Sequence, residues 1–296
     1  MSSADRRLLL VHAHPDDETI GQGALMAKYA AEGAQVSLVT CTLGEEGEVL
    51  VPELEHLAAA NDDELGPYRI GELRDAMDAL GVTDWQFLGA DGKYRDSGMM
   101  GEPTNERENC FWQADLLEAA ADLVPVIREK RPQVLITYND FGGYGHPDHI
   151  KAHRVAMYGA QLAAAQGFRP ELGEPWQIEK IYWGAMPVSV IREGIELLKE
   201  SGTDLMWAAD IDPENIPFGT PDSSVTTRID SREYHPQKVV AMKAYPTQMT
   251  LEDGFFSLTA NNDRGAIEYL QLVQGEVGPR DGDGFESDLF AGISVD

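Results

Sequence analysis

The residues best suited to chemistry stand in two widely separated corners. The first is His12-Ala13-His14-Pro15-Asp16-Asp17-Glu18, two imidazoles and three carboxylates in one short stretch. It follows the apolar run 8–11, which reads as a buried strand, and precedes a segment of helical periodicity. Pro15 suits the first helical position, which puts His14 at the cap and Asp17 three residues on, on the same side of the first turn. A mixed nitrogen and oxygen pair of this kind suits a divalent cation. The second corner, His146-Pro147-Asp148-His149, repeats the pattern after a strand expected at 134–138 and the loop Asn139-Asp140-Phe141-Gly142-Gly143-Tyr144-Gly145.

Three protein ligands with a fourth position open describe a catalytic zinc. His14, Asp17 and His149 supply that number with suitable atoms. Iron(II) or cobalt(II) would accept the same set. Water bound to zinc becomes a usable nucleophile near neutral pH. Asp16 adjoins a ligand but points about 100° away round the helix, so it could take that water's proton as general base. His146 is placed as general acid or as stabiliser of developing charge, with Asp148 close enough to orient it. Tyr144, on a glycine-flanked loop, could reach an oxyanion. The set suits metal-assisted hydrolysis of an amide or ester carbonyl. His12 reads as a buried neighbour, and His153 as a supporting or surface residue.

The two corners can meet only if their strands are neighbours. Strands are expected at 8–11, 36–40, 85–88 and 134–138, and helices at 19–32, 71–80, 114–130 and 149–166. This alternation implies an α/β fold, a Rossmann-like, mostly parallel sheet with helices on both faces. In the strand order 3-2-1-4 the first and fourth strands lie side by side at the switch point, where such sheets bind ligands. The long polar loop 89–109 reads as functional rather than scaffold. Beyond about 170 the pattern loosens, with strands at 178–184 and 224–229 and helices at 188–201 and 234–244. The chain reads as a single domain, 1–296, with a core to about 170 and a C-terminal elaboration over 171–296. Gly21-Gln22-Gly23 lacks the third glycine of a dinucleotide fingerprint and lies inside a helix pattern, which excludes that reading.

Composition narrows the partners. Of 296 residues, 43% are hydrophobic and 25% charged, ordinary for a globular enzyme, but the net charge is −28. So acidic a surface repels the phosphates of nucleic acid and of anionic membranes. Cys41 and Cys110 form no disulfide framework and no CxxC site, which favours a reducing cytosol. No secretory signal precedes the first strand and no apolar run has transmembrane length, so a cytoplasmic protein is expected. Oligomeric state is not legible.

The motifs His14-Pro15-Asp16-Asp17 and Gly145-His146-Pro147-Asp148-His149 resemble the LmbE-like (PIG-L) zinc-dependent deacetylases of N-acetylglucosaminyl conjugates. The loops Cys41–Val49, 68–73 and 94–99 resemble the branch that removes acetate from N-acetylglucosaminyl-inositol in mycothiol biosynthesis. The resemblance covers the chain to about 160 and then thins to patches. It implies one zinc on His14, Asp17 and His149, Asp16 as base, His146 as acid or charge stabiliser, and Tyr144 polarising the acetamide. It also implies that Arg69 and Asp96 hold inositol or sugar hydroxyls while Glu48 and Met99 line the same pocket; Asn261-Asn262 echo the family more loosely. Two alternatives stay open: the sister mycothiol S-conjugate amidase, with the same mechanism and a longer acyl arm, and a metal- or carbohydrate-binding protein without turnover. The second would need a fourth protein ligand, His12 or His146.

Overall fold

The computed structural model describes residues 2–201, 216, 218–252 and 254–293. The chain alternates as expected in its first half: β1 (Arg7–His12), α1 (Asp17–Ala31), β2 (Gln35–Thr40), α2 (Leu65–Leu80), β3 (Asp84–Phe87), α3 (Leu116–Lys130) and β4 (Val134–Thr137). A helical turn α4 (Gly142–Gly145) leads into α5 (Pro147–Ala164). The second half supplies β5 (Lys180–Ala185), α6 (Val188–Ser201), β6 (Thr227–Asp230), α7 (His235–Lys243), α8 (Gly254–Asn261) and β7 (Ile267–Gln274).

The strands form one sheet in the order β3-β2-β1-β4-β5-β7-β6. Strands β1 to β5 run parallel, with Leu10 opposite Ile136 where β1 meets β4; β7 runs antiparallel to both β5 and β6. The expected neighbours are therefore neighbours, and both His-Pro-Asp corners leave the same end of the sheet. Alternate residues of β1 feed opposite faces, as strand geometry requires. Leu8 and Leu10 pack with Met26, Leu73, Met77 and Met242 from α1, α2 and α7. Leu9 and Val11 pack with Leu123, Ile127, Val155 and Ala156 from α3 and α5. A strand buried on both faces reads as a continuous apolar run, and 8–11 is one.

Two departures from the sequence reading have physical causes. The helix expected from residue 71 begins at Leu65, with Pro67 in its first turn, where a missing N–H costs no hydrogen bond. β7 was not expected, because Glu268 occupies a buried position on the same face as Leu270 and breaks the apolar alternation.

That glutamate closes a gap in α1. The helix is interrupted at Gln22, whose backbone is non-helical (φ −133°, ψ 18°). The N–H groups of Ala24 and Leu25, which open the second segment, donate to the Glu268 carboxylate at 3.1 and 2.6 Å. Lys238 of α7 completes the arrangement, donating to Glu268 at 2.9 Å and to the Gly265 carbonyl at 2.9 Å. The helix that begins with a candidate ligand is thus fastened from the far end of the chain. Among the described residues no helix is long and apolar enough to cross a membrane.

Candidate metal centre and active site

His14, Asp17 and His149 converge. His14 Nδ1 lies 3.2 Å from Asp17 Oδ2 and 3.3 Å from His149 Nε2, and His149 Nε2 lies 3.3 Å from Asp17 Oδ1. Four-coordinate zinc with bonds of about 2.0–2.1 Å needs ligand atoms about 3.3–3.4 Å apart, and each of these three spacings is close to that, the two to Asp17 ending on its two different oxygens. The nitrogens point correctly as well. His149 Nδ1 donates to the Gly142 carbonyl at 3.1 Å, which leaves the Nε2 lone pair inward. His14 Nε2 faces the Asp148 carboxylate at 3.3 Å and Asp96 at 3.5 Å, which leaves Nδ1 free to ligate. A carboxylate behind a ligating histidine fixes its tautomer and raises its basicity.

Asp148 was expected to orient His146. Its carboxylate instead meets His14 and accepts hydrogen bonds from the Ser97 backbone N–H at 2.8 Å and the Ser97 hydroxyl. The cause is helix capping: His146 is the N-cap of α5, and its Nδ1 accepts the Asp148 backbone N–H at 3.1 Å. With Nδ1 accepting, neutral His146 carries its proton on Nε2. Ligand atoms of His14, His146 and His149 all lie within 4.8 Å of one another, but a protonated Nε2 is a donor, not a fourth ligand. Burial, reinforced by His14 and His149, pushes His146 down to about 3 and so favours that neutral form.

Asp16 sits next to the triangle in a conformation that side-chain-bearing residues rarely adopt, φ +115°. Three contacts hold it there. Its N–H donates to Glu18 Oε2 at 3.0 Å, Arg69 donates to its carboxylate at 2.9 Å, and the same guanidinium grips the Pro15 carbonyl. Arg69 also reaches the Gly44 carbonyl at 2.9 Å. Burial, with Asp17 and Glu18 adding to it, pushes Asp16 up to about 8 against the pull of Arg69. Burial likewise disfavours charge on Asp17, but His149 and His14 outweigh it and hold that carboxyl well below the usual range. Asp16, Asp17, Asp96 and Asp148 thus surround two imidazoles in the interior. Such a set is costly without a positive centre, and a cation there would keep all four ionised.

The remaining expected residues divide into two groups. Asp96 is buried, accepting from the Gly98 and Glu46 N–H groups at 2.8 and 3.2 Å. Arg69 is only 2% exposed. Both are built into the walls. Tyr144, Met99 and Glu48 are exposed; the Tyr144 ring stands edge-on to His149 with centroids 5.0 Å apart. Tyr144 rides on α4, where Gly142, Gly143 and Gly145 all have positive φ. Asn261 bonds to the Ser257 carbonyl and Asn262 caps the following turn. His12 is buried edge-on to Tyr138, and burial takes it down to about 4, hence neutral. Sequence reasoning counted Glu18 in the corner without giving it a role and missed Tyr138; both touch the corner through hydrogen bonds, and Tyr138 ended an apolar run and carried no separate signal.

Comparison with known proteins bears on this geometry. The PIG-L family, GlcNAc-PI de-N-acetylase, matches residues 9–159, which contain both corners. The 1D-myo-inositol 2-acetamido-2-deoxy-alpha-D-glucopyranoside deacetylase of Geodermatophilus obscurus is 57% identical over 290 residues, 97% of this chain and 98% of that protein. The corresponding deacetylase 1 of Catenulispora acidiphila is 58% identical over 297 residues, 99% of this chain and 91% of its own. Among solved structures, N,N'-diacetylchitobiose deacetylase from Pyrococcus horikoshii superposes with a TM-score of 0.56 at 18% identity, over 83% of this chain and 71% of that one. The 4-carboxy-2-hydroxymuconate hydratase GalB of Pseudomonas putida gives 0.56 at 19%, over 94% and 100%. A deacetylase and a hydratase fit equally well, so these structural likenesses speak for the fold alone.

Proposed function

The chain belongs to the PIG-L family of de-N-acetylases, and from that premise we propose that it is a zinc-dependent hydrolase of N-acetylglucosaminyl-inositol. It releases acetate and leaves glucosaminyl-inositol, a step of mycothiol biosynthesis. The observation that carries the reading is the triangle of His14, Asp17 and His149 with a carboxylate not spent on it, Asp16, alongside. Near full-length identity to relatives named for this deacetylation supports the substrate.

His14 Nδ1, His149 Nε2 and Asp17 would hold the ion; Fe2+ or Co2+ suits the same donors. When bound, zinc polarises the acetamide carbonyl and brings a water to a pKa near 7. The chain's own residues do the rest. Asp16 accepts the attacking water's proton on its carboxylate, which Arg69 keeps aimed and which a bound cation would keep anionic. His146 donates its Nε2–H to the developing oxyanion, and the Tyr144 hydroxyl adds a second donor from the exposed turn. The protonated Asp16 can then return its proton to the departing amine. Glu48 and Met99 face the sugar and inositol, while Arg69 and Asp96 act on the substrate through the walls they hold. We read 1–296 as one unit because β5, β6 and β7 extend the sheet of β1–β4. We place it in the cytosol, where the buried, unpaired Cys41 and Cys110 suit a reducing environment.

The test is amine release by zinc-loaded protein from N-acetylglucosaminyl-inositol, side by side with a mycothiol S-conjugate. Release from the former, abolished by chelation, is expected. Release from the conjugate alone would move the protein to the amidase branch, and release from neither would refute the reading.

A further inference from the structure

Beside the triangle lies Tyr138, the residue after β4, whose side chain touches two of the three candidate ligands in different ways. Its hydroxyl is 2.7 Å from Asp17 Oδ2, and its ring stacks on His149 with centroids 4.3 Å apart and planes 20° from parallel. The direction of the hydroxyl proton is fixed. The Ala13 N–H donates into the same oxygen at 2.8 Å, so the hydroxyl's own proton goes to Asp17. Asp17 Oδ2 accepts the His14 backbone N–H as well, at 2.9 Å. Two donors therefore occupy Oδ2, which lies 3.2 Å from His14 Nδ1, and Oδ1, which accepts neither of them, is the oxygen turned towards His149 Nε2. The backbone of Tyr138 is itself anchored, its carbonyl accepting from His153 Nδ1 of α5 at 2.9 Å.

We propose that Tyr138 is the positioning residue of the metal centre: by occupying Asp17 Oδ2 and stacking on His149 it holds Asp17 to a single ligating oxygen and keeps the fourth coordination position open. This rests on the metal reading above and deepens it. An aspartate free to turn could offer both oxygens to a cation and fill the position that substrate and water need. The hydroxyl prevents this with one hydrogen bond, and the ring fixes the plane of the neighbouring imidazole.

The experiment compares wild type, Tyr138→Phe and Tyr138→Leu, with folding of each checked first by circular dichroism. Zinc affinity is measured by competition with a chelating indicator, and coordination by the visible spectrum of the Co2+-loaded protein. Phe, which keeps the stack and loses the hydroxyl, is expected to weaken zinc binding about 10- to 100-fold. It should also weaken the cobalt absorption as coordination number rises. Leu, which loses both contacts, should bind more weakly still. If a variant folds only with zinc present, the zinc concentration for half-folding takes the place of the competition constant. A Tyr138→Phe protein with wild-type affinity and a wild-type cobalt spectrum overturns the proposal. Failure of the wild type to bind either metal overturns the metal reading instead.

Discussion

Replacing Glu268 by alanine strikes the fold at a point remote in sequence from the chemistry, and the cost can be worked from its contacts. Glu268 and Lys238 are only 4% and 2% exposed, so solvent does little to screen their pairing. The carboxylate accepts two helix N–H groups and the ammonium. Alanine leaves the ammonium with the Gly265 carbonyl alone, and leaves the N–H groups of Ala24 and Leu25 without acceptors. Each orphaned donor costs about 1–3 kcal/mol, and breaking a buried pair from one side costs about 3–5 kcal/mol. These terms overlap, because water can follow the missing side chain, so the expected loss is about 3–5 kcal/mol and not their sum. Lys238→Ala should cost less, since the carboxylate keeps both N–H donors. The double variant should lose about 1–3 kcal/mol less than the two singles added together. Urea unfolding of metal-free protein, followed by tryptophan fluorescence, measures all three. A Glu268→Ala loss below about 1 kcal/mol, or an additive cycle, would refute the reasoning.

Two further perturbations separate the roles at the site. Asp16→Ala should retain zinc through gel filtration yet lose about 10²- to 10⁴-fold in turnover at saturating metal, whereas His149→Ala should lose metal and turnover together; near-normal rates for Asp16→Ala would mean the base is elsewhere. Gly142 has φ +70°, and a Cβ there would lie 2.7 Å from the Ile150 nitrogen and 2.8 Å from His149 Cβ. Gly142→Ala should therefore lower stability by about 1–3 kcal/mol and displace the carbonyl that fixes the His149 tautomer; calorimetry and zinc competition read the two effects, and an unchanged zinc constant would count against that carbonyl's role.

What was legible in the sequence follows from how local its causes are. β1 and β4 announced themselves as apolar runs, β2 and β3 by their place in the strand–helix alternation, and the two corners as histidine and aspartate beside a proline. The neighbouring of β1 and β4 followed from a topology rule and needed no contact information. The misplacements concern residues whose partners are distant in the chain. The sequence carried no sign that Arg69, read as a sugar ligand, also donates to Pro15, Asp16 and Gly44. Asp148 was read against its neighbour His146, yet its carboxylate crosses to His14 and Ser97. Glu268 hid a strand because a buried acid looks polar until Lys238 and the interrupted helix are seen against it. Periodicity reports which side of an element faces inward; it carries no information about which polar group waits there.

The backbone at Asp16 has a consequence for what evolution can do with this chain. A residue with a side chain held at φ +115° carries strain of about 1–3 kcal/mol. Asp16→Gly and Asp16→Ala both discard the carboxylate, but only glycine relaxes the backbone. Less the entropy glycine adds to the unfolded state, Asp16→Gly should be about 1 kcal/mol more stable than Asp16→Ala. Equal stabilities in urea would show that position 16 stores no strain. Durability and turnover therefore pull in opposite directions at this one position. A population screened only for heat resistance should drift away from aspartate there, and only selection on the product would bring it back.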